Sequence, residues 1–342
     1  MNIIERNYFR LLRAGAYGSE EAIEPMSGWK WGQLLAIAHK LDMEALLGDG
    51  VKACANQFFV QIPTNVSEQW TEATLSAEHR HQTASADVAT LLQQQASGQL
   101  RPILTGLWAT QALYPTPAHH RTGLVSIYFP YATQGNKADE LARAIDAEAT
   151  SPNKHVLHYK WQGLNVEHRH QLLQLSNKLN NHTLKDIIEK EWLEGGTSHI
   201  TIRGQRIETV APTLAMLVAL VEMVKSTLSN GISLWILTDI GMMLRQLGDR
   251  MDFVKIESWI ERLHFNRMAL LTAQLLTGLL GFSADEVPFV RQPLGKADID
   301  ALASSLLGTR GGTAARFSRY CLGESMMGAL ASLTRSIGNI EE

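Results

Sequence analysis

The sequence predicts an α+β protein in which a small mixed β-sheet domain lies between two helical regions. Three observations predict this class. Apolar residues recur at helical spacing up to about residue 98, they do so again beyond residue 211, and the residues between carry short runs of β-branched and aromatic side chains. We therefore expect an N-terminal helical region over residues 1–98, an α/β core over 99–210 and a C-terminal helical region over 211–342.

The N-terminal region is expected to be helical. Helical spacing runs from Asn2 to Val51, interrupted by the turn-rich segment Gly15–Gly28, and Trp29–Leu41 forms a second helix. Ser67–Gln95 reads as one long helix with a polar face, for which Ser67 is a suitable N-cap.

The central region alternates strands with helices. Leu107–Leu113 and Asn136–Thr150 have helical spacing, whereas Gly163 and Arg203–Gly204 are typical of tight hairpin turns. The predicted strands are Pro102–Leu104, Leu124–Phe129, His155–Trp161, Leu164–His170, Ser198–Ile202 and Gln205–Thr209.

The C-terminal region is helical again after Pro212, a residue type favoured in a first helical turn. Asp298 and Asp300 stand near the start of one helix, where acids favour the helix dipole. Gly311–Ala314 is expected to be a loop, and a final helix is expected from Arg316 onward. The other predicted helices are Leu214–Leu228, Leu234–Leu247, Ile256–Leu263, Met268–Leu280 and Ile299–Leu307.

The composition argues against nucleic acid and anionic membranes as partners. The chain has 342 residues, 45% of them hydrophobic, which is ample for a buried core. A formal net charge of −3 gives no general attraction to nucleic acid or to an anionic membrane, so neither is expected as a partner. The tryptophans are scattered over predicted helices and strands, which favours packing over base stacking.

The cysteines and the apolar segments indicate a cytoplasmic protein. Cys54 and Cys321 are the only cysteines, and their wide separation favours two buried free thiols over a disulfide or a metal site. The N-terminal residues lack the apolar stretch of a secretory signal. The longest apolar run, Met268–Phe282, is too short and too polar for a membrane span.

The most informative stretch is Arg101–Pro130. A short strand ends at Thr105–Gly106 and a helix follows, so these two residues could offer backbone N–H groups to an anion. After the loop Tyr114–Arg121, Gly123–Phe129 reads as a second strand that pairs with the first. The stretch therefore predicts a strand hairpin around an anion site.

This stretch resembles the uncharacterised nucleotidyltransferase family, a branch of the polymerase-β-like superfamily with the signature LKG…YP.P..R..GDIDLLV. Leu104-Thr105-Gly106 stands at the LKG position, and Tyr114–Pro117 stands at YP.P. Arg121 matches the family's arginine, and Gly123–Ser126 occupies the GDID position. Both aspartates of that motif are replaced, by Leu124 and Ser126.

Two further segments extend the resemblance over roughly Trp29 to Leu280. Leu164–His168 resembles the family strand "iElH" that carries the third carboxylate, and both Glu167 and His168 are present. Gly231–Asp239 resembles the helical segment GIGLRWLxD, with Trp235 in place of an arginine. Upstream, Lys225 matches, while Glu222 and Ser226 stand where histidines are common.

The resemblance implies a metal-dependent chemistry whose ligands are incomplete here. Nucleotidyl transfer by this family uses NTP and two divalent cations held by carboxylates. Two aspartates at i and i+2 of a strand share one face and can share the ions, but a leucine cannot ligate Mg²⁺ and a neutral serine is a weak ligand. We therefore expect a catalytically degenerate member with no metal site, in which Glu167 is a remnant carboxylate.

The expected remnant is a nucleotide or anion pocket formed by Thr105, Gly106, Arg121, Ser126 and His168. The Arg121 guanidinium suits a phosphate, although an arginine in such a loop can equally tie the loop to a carbonyl. His168 has only a supporting role in the family's pattern. His168 and His170 share one strand face and could form a metal pair, but no third ligand can be placed beside them.

Three hypotheses follow for function. The first is a degenerate nucleotidyltransferase that binds a nucleotide or a protein partner. The second is an active enzyme that recruits carboxylates from elsewhere to hold Mg²⁺ and NTP around Glu167, with Asp139 and Glu140 as candidates. The third is that the resemblance is accidental and that the sheet binds something unrelated.

Overall fold

The computed structural model of the chain describes residues 1–175, 177–229, 231–288 and 296–309. The predicted loop Gly311–Ala314, the predicted helix from Arg316 and Cys321 lie outside these residues. The helices described are α1 (Ile3–Tyr17), α2 (Gly28–Lys40), α3 (Glu44–Cys54), α4 (Thr64–Ser97), α5 (Leu107–Thr110), α6 (Ala132–Ile145), α7 (Lys178–Leu193), α8 (Pro212–Ser229), α9 (Leu234–Leu247), α10 (Phe253–Arg262), α11 (Asn266–Leu279) and α12 (Lys296–Leu306).

In the described residues, seven strands form one mixed sheet. They are β1 (Ile103–Thr105), β2 (Val125–Tyr128), β3 (Thr150–Asn153), β4 (Val156–Trp161), β5 (Leu164–Arg169), β6 (Thr197–Ile202) and β7 (Gln205–Val210). Their order across the sheet is β3-β4-β5-β2-β1-β7-β6. β1 and β2 are antiparallel, while β5 runs parallel to β2 and β7 runs parallel to β1. The predicted hairpin therefore lies at the centre of the sheet.

Both predicted tight turns are confirmed. The two-residue loop between β4 and β5 has positive φ at Gln162 (47°) and Gly163 (84°). The loop between β6 and β7 has the same feature at Arg203 (53°) and Gly204 (76°). Positive φ at both central residues is the geometry of a type I′ turn, whose twist matches that of the strands it joins.

Some element boundaries differ from those predicted. α4 begins after Pro63 rather than at Ser67, because Pro63 stands in an extended conformation that suits the residue before a first turn. α6 lies several residues before the predicted Asn136–Thr150, and Thr150 itself starts β3. Neither β3 nor α7 stands among the predicted elements. β3 is largely exposed and contains a proline, so it has no apolar alternation to reveal it.

Local chemistry explains the ends of α1. The Asn2 side chain accepts hydrogen bonds from the backbone of Ile4 and Glu5, and the Glu5 carboxylate accepts one from Asn2 N, which completes a capping box. The helix ends at Gly18, whose φ of 67° allows the left-handed cap.

α1 and α3 cross in close contact because glycines stand at the crossing. A Cβ at Gly15 would lie 2.1 Å from the Leu46 carbonyl oxygen, and a Cβ at Gly50 would lie 2.0 Å from that of Leu11. Any side chain at either position would therefore force the two helices apart.

The buried side chains of the described ranges form two cores. The larger core joins α1–α3 from the start of the chain with α8–α12 from its end. The smaller core lies between the sheet and the helices α4 and α6. Cys54 is buried as a free thiol in the larger core. None of the described helices is both long and apolar enough to cross a membrane.

At the predicted Asp298–Asp300 pair, α12 is helical as expected. The Asp300 carboxylate accepts from the Met1 amino group at 2.7 Å. Asp300 therefore joins α12 to the amino group of Met1.

Candidate functional site

A cavity of about 430 Å³ opens between the central strands and the helices α8 and α9. Its sheet side is polar, and its helix side is formed mainly by aliphatic side chains such as Ala215, Val218, Ile236 and Met243. A ligand with one polar end and one apolar end would match these two sides.

Four of the predicted site residues line this cavity. They are Thr105, Gly106, Arg121 and Ser126, and the replaced position Leu124 lines it as well. Thr105 pairs with Ser126 across β1 and β2, and Ser126 pairs with Glu167 across β2 and β5. Three neighbouring strands therefore bring the hairpin and the remnant carboxylate side by side.

Both oxygens of the Glu167 carboxylate contact polar side chains. Ser126 Oγ donates to Glu167 Oε1 at 3.0 Å, and Arg169 Nε donates to the same oxygen at 2.5 Å. Oε2 lies 3.0 Å from Nε2 of His158. Burial opposes ionisation of the carboxyl, which is 6% exposed, but Arg169, His158 and Ser126 outweigh burial and hold the pKa of Glu167 below its usual value. Glu167 is therefore a paired carboxylate.

Arg169 is a site residue that the sequence prediction missed. Its guanidinium lines the cavity and also lies 3.5 Å from the Glu222 carboxylate on α8. Lys225 contacts Glu222 in turn at 3.3 Å. The spacing of Glu167 and Arg169, two apart on a predicted strand, was a usable signal, because such residues share a face.

The loop Tyr114–Arg121 meets the helical segment that begins at Gly231. Tyr114 Oη donates to Asp239 Oδ1 at 2.7 Å, and His120 Nε2 lies 2.9 Å from the same oxygen. The Arg121 guanidinium lies over the Trp235 ring, 5.9 Å from its centroid. Arg121 Nε is buried and has no hydrogen-bond partner among the described residues. Asp239 and Arg121 both line the cavity, so the two motif segments build one wall of it.

Two more cavity residues were not predicted, His199 on β6 and Arg250 after α9. Arg250 donates to Ser198 Oγ at 3.0 Å. No sequence signal pointed to them, because their strand and helix are far apart in the chain.

His168 lies on the opposite face of the sheet from Glu167, as strand alternation requires. Its Nδ1 is 3.1 Å from Asp139 Oδ1 on α6, and its Nε2 is 3.0 Å from Tyr159 Oη and 3.1 Å from Gln95 Nε2. Burial lowers the pKa of His168 despite the Asp139 charge, so the ring is neutral and we infer that it donates from Nδ1. The structure thus places His168 away from the cavity, which it does not line.

His170 shares the face of His168, as the alternation predicts. His170 Nε2 lies 2.8 Å from Asp139 Oδ2, so a single carboxylate holds both histidines. Burial opposes the Asp139 charge, but the two histidines outweigh it and lower the pKa of Asp139. Within the described ranges, no group of three His, Cys, Asp or Glu side chains could hold a metal ion.

The residues around Ser126 do not fit the Mg²⁺ ions that the family's chemistry implies. Leu124 offers no ligand atom, and the Ser126 hydroxyl donates a hydrogen bond to Glu167. A guanidinium stands against Glu167 where a cation would bind. Asp139 belongs to α6, on the other face of the sheet, and the exposed Glu140 stands on the same helix. The carboxylates named in the active-enzyme hypothesis therefore do not converge.

Comparison with known proteins identifies the family to which the chain is similar. Residues 27–281 match the family model described as "Uncharacterised nucleotidyltransferase". No curated protein matches the chain. Among solved structures, an antigenic nucleotidyltransferase-like protein from Paracoccidioides brasiliensis is similar at 17% identity, with a TM-score of 0.34, over 47% of this chain and 75% of that one. Because the family match spans most of the 342 residues, the chain belongs to the uncharacterised nucleotidyltransferase family, as its motifs indicated.

Proposed function

We propose that this chain is a nucleotidyltransferase-fold protein that has lost nucleotidyl transfer and binds a nucleotide in the cavity. The observation that carries the proposal is the pairing of Glu167 with Arg169 at 2.5 Å, beside a leucine and a serine at the two aspartate positions. The biological role then lies in binding or assembly in the cytoplasm, with a protein as the second partner.

The loss of transfer follows from the chemistry. An in-line attack on a triphosphate needs cations that bridge the attacking oxygen and the phosphates. Hard cations need several oxygen ligands, and Glu167 is the one carboxylate left of the three. Its oxygens already accept from Ser126 and Arg169 and contact His158.

Retention of binding follows from the shape and the charges of the cavity. The arginines Arg121, Arg169 and Arg250 line it together with the hydroxyl groups of Thr105 and Ser126. Guanidinium groups suit phosphate oxygens, and the aliphatic side chains of α8 and α9 suit a base. The cavity thus offers both halves of a nucleotide a matching surface.

The active-enzyme hypothesis has weaker support. It requires further carboxylates to share a metal ion with Glu167, but the candidates Asp139 and Glu140 belong to α6, which packs on the face of the sheet that carries His168. Helix α6 would have to leave that face to bring either carboxylate to Glu167.

Calorimetry and a transfer assay test the proposal together. The purified chain is titrated with each of the four NTPs, with and without Mg²⁺ or Mn²⁺, and is incubated with α-labelled NTPs and a cleared cell extract as the source of acceptors. We expect binding of at least one nucleotide and no transfer of label. Label transfer that Glu167→Gln abolishes would contradict the loss of catalysis.

Two arginine variants locate the binding site. Arg121→Met removes a cavity arginine and should weaken binding by about tenfold or more. Arg143→Met is the matched control, because Arg143 is exposed on α6 and does not line the cavity. Equal affinity in the two variants would place the nucleotide elsewhere.

A further inference from the structure

We propose that the Arg169 guanidinium takes the place of the metal ion, and that the cavity binds a nucleoside monophosphate without any divalent cation. This inference rests on the proposed function, since it assumes that a nucleotide occupies the cavity. It goes beyond that function by naming the group that binds the phosphate and the class of nucleotide that the cavity prefers.

The position of Arg169 is the first argument. Arg169 follows Glu167 by two residues on β5, so both side chains stand on the cavity face of the strand. Arg169 Nε and Ser126 Oγ both contact Glu167 Oε1, at 2.5 and 3.0 Å. The guanidinium therefore touches the oxygen that a cation shared by these two positions would touch.

Charge repulsion is the second argument. A divalent cation placed beside Glu167 would meet the fixed positive charge of Arg169 at contact distance, and arginine keeps its proton throughout the ordinary pH range. A phosphate at the same place is attracted by that charge, although Glu167 and the Glu222 carboxylate at 3.5 Å offset part of the attraction. The guanidinium thus disfavours a divalent cation beside Glu167.

The unsatisfied donor of Arg121 is the third argument. Buried N–H groups are almost always paired in folded proteins, yet Arg121 Nε has no partner among the described residues. Arg121 lines the cavity, so a side-chain shift that brings Nε to the cavity surface would let an acceptor oxygen of a ligand complete its hydrogen bonding. Neutral apolar ligands supply no such oxygen.

The charge balance sets the class of nucleotide. Arg121, Arg169 and Arg250 line the cavity together with Glu222 and Asp239, and Glu167, which is not a lining residue, contacts Arg169. Three positive and three negative side chains balance formally, so the cavity has no surplus positive charge to neutralise a triphosphate without bound metal. A monophosphate carries about half of that negative charge, so it is the better match.

Titration with AMP and ATP, each in EDTA and in Mg²⁺, tests the inference. We expect AMP to bind in EDTA, Mg²⁺ to leave its affinity unchanged within about twofold, and ATP to bind more weakly. Nucleotide binding that requires Mg²⁺ would overturn this inference while leaving the cavity as a nucleotide site. Absence of binding by AMP and by all four NTPs under both conditions would overturn the proposed function as well.

Substitution of Glu167 should change the affinity for AMP differently at a guanidinium site and at a metal site. If Arg169 receives the phosphate, Glu167→Gln removes a competing negative charge, and AMP affinity is kept or rises several-fold. If a metal ion receives it, Glu167→Gln abolishes binding. The sign of the change therefore decides between a guanidinium and a metal.

A double variant removes the guanidinium without stranding a buried acid. Glu167→Gln with Arg169→Met leaves neither charge unpaired, so the fold has the best chance of persisting. We expect AMP to bind at least about tenfold more weakly than to Glu167→Gln alone. A thermal melt verifies folding of both variants, and unchanged affinity in a folded double variant would overturn the role of Arg169.

Discussion

Tyr114 and Asp239 are joined by a hydrogen bond of 2.7 Å although they lie 125 positions apart in the chain. Tyr114 opens the proline-containing loop between the two strands of the central hairpin, and Asp239 lies in α9. Burial and the Asp239 charge raise the pKa of Tyr114 well above its usual value, so its hydroxyl keeps its proton and donates. The contact fixes the loop that carries Arg121 against the helical wall of the cavity.

Replacement of Tyr114 by phenylalanine should destabilise the protein. The change removes one buried donor to a carboxylate, which corresponds to a loss of about 1.5 to 3 kcal/mol in the free energy of unfolding. Urea denaturation measures it. Tyr131→Phe is the control, because Tyr131 is 47% exposed and should change stability by less than about 0.5 kcal/mol. Equal effects would mean that the contact with Asp239 contributes nothing specific.

The crossing of α1 and α3 makes a second prediction. Gly50→Ala places a methyl group 2.0 Å from the Leu11 carbonyl oxygen, so the helices must separate and the loss should reach about 2 kcal/mol or more. Gly32→Ala is the matched control, because no atom lies within 4 Å of a Cβ there. Alanine in a helix interior should raise stability at Gly32 by about 0.5 to 1 kcal/mol. Thermal melts of the two variants should therefore shift in opposite directions, and a shift in the same direction would contradict the crossing geometry.

His119 makes stability depend on pH. The ring is 4% exposed and lies between two carboxylates, 2.6 Å from Asp49 and 2.9 Å from Glu78. Burial opposes the charge on the ring, but the two carboxylates outweigh burial and raise the pKa of His119 above its usual value. Because the folded pKa is the higher one, the stabilisation is fully present below the unfolded pKa and is lost as pH rises through the folded pKa.

The experiment compares wild type with His119→Gln by urea denaturation between pH about 5.5 and about 8.5, on either side of the usual histidine pKa. The difference in unfolding free energy should be about 2 kcal/mol at the acidic end and should shrink towards the alkaline end. A difference that grows with pH would show that the ring is neutral in the folded protein.

Asp139→Asn separates stability from binding. The substitution removes the charge that holds His168 and His170, so it should lower the free energy of unfolding by about 1 to 3 kcal/mol. Nucleotide affinity should not change, because Asp139 faces the smaller core and not the cavity. Calorimetry on the folded variant checks this, and loss of binding there would favour the active-enzyme hypothesis.

The elements that the sequence predicted well are those with strong local signals. The helices α8 and α9 have clear apolar spacing, and the turns at Gly163 and Gly204 have the residues that positive φ demands. α7 was missed because its buried apolar residues, Leu184, Ile187 and Ile188, span little more than one turn, and its other apolar residues stand at the helix ends. A local pattern of that size does not distinguish a helix from a loop.

The site was predicted in part, and the missing part is long-range. The hairpin motif identified Thr105, Gly106, Arg121 and Ser126, all of which line the cavity. The approach of α8 and α9 to the sheet depends on tertiary packing, so Glu222, Asp239 and Arg250 could not be assigned to the cavity from spacing. The contact between Glu167 and Arg169 was predictable only in part. Strand alternation places both side chains on one face, but it does not show that they touch.

The shared core of the two ends of the chain has a consequence for synthesis on the ribosome. Tyr17 donates to the Thr238 carbonyl oxygen across 221 residues, and α1 packs in one core with helices translated long after it. Translation proceeds at roughly 5 to 20 residues per second, so roughly 10 to 40 seconds pass between synthesis of the first helices and synthesis of the helices that cover their apolar faces. During that interval these faces stay exposed, which is the condition that chaperones relieve, and the sheet is translated before the helical core is complete.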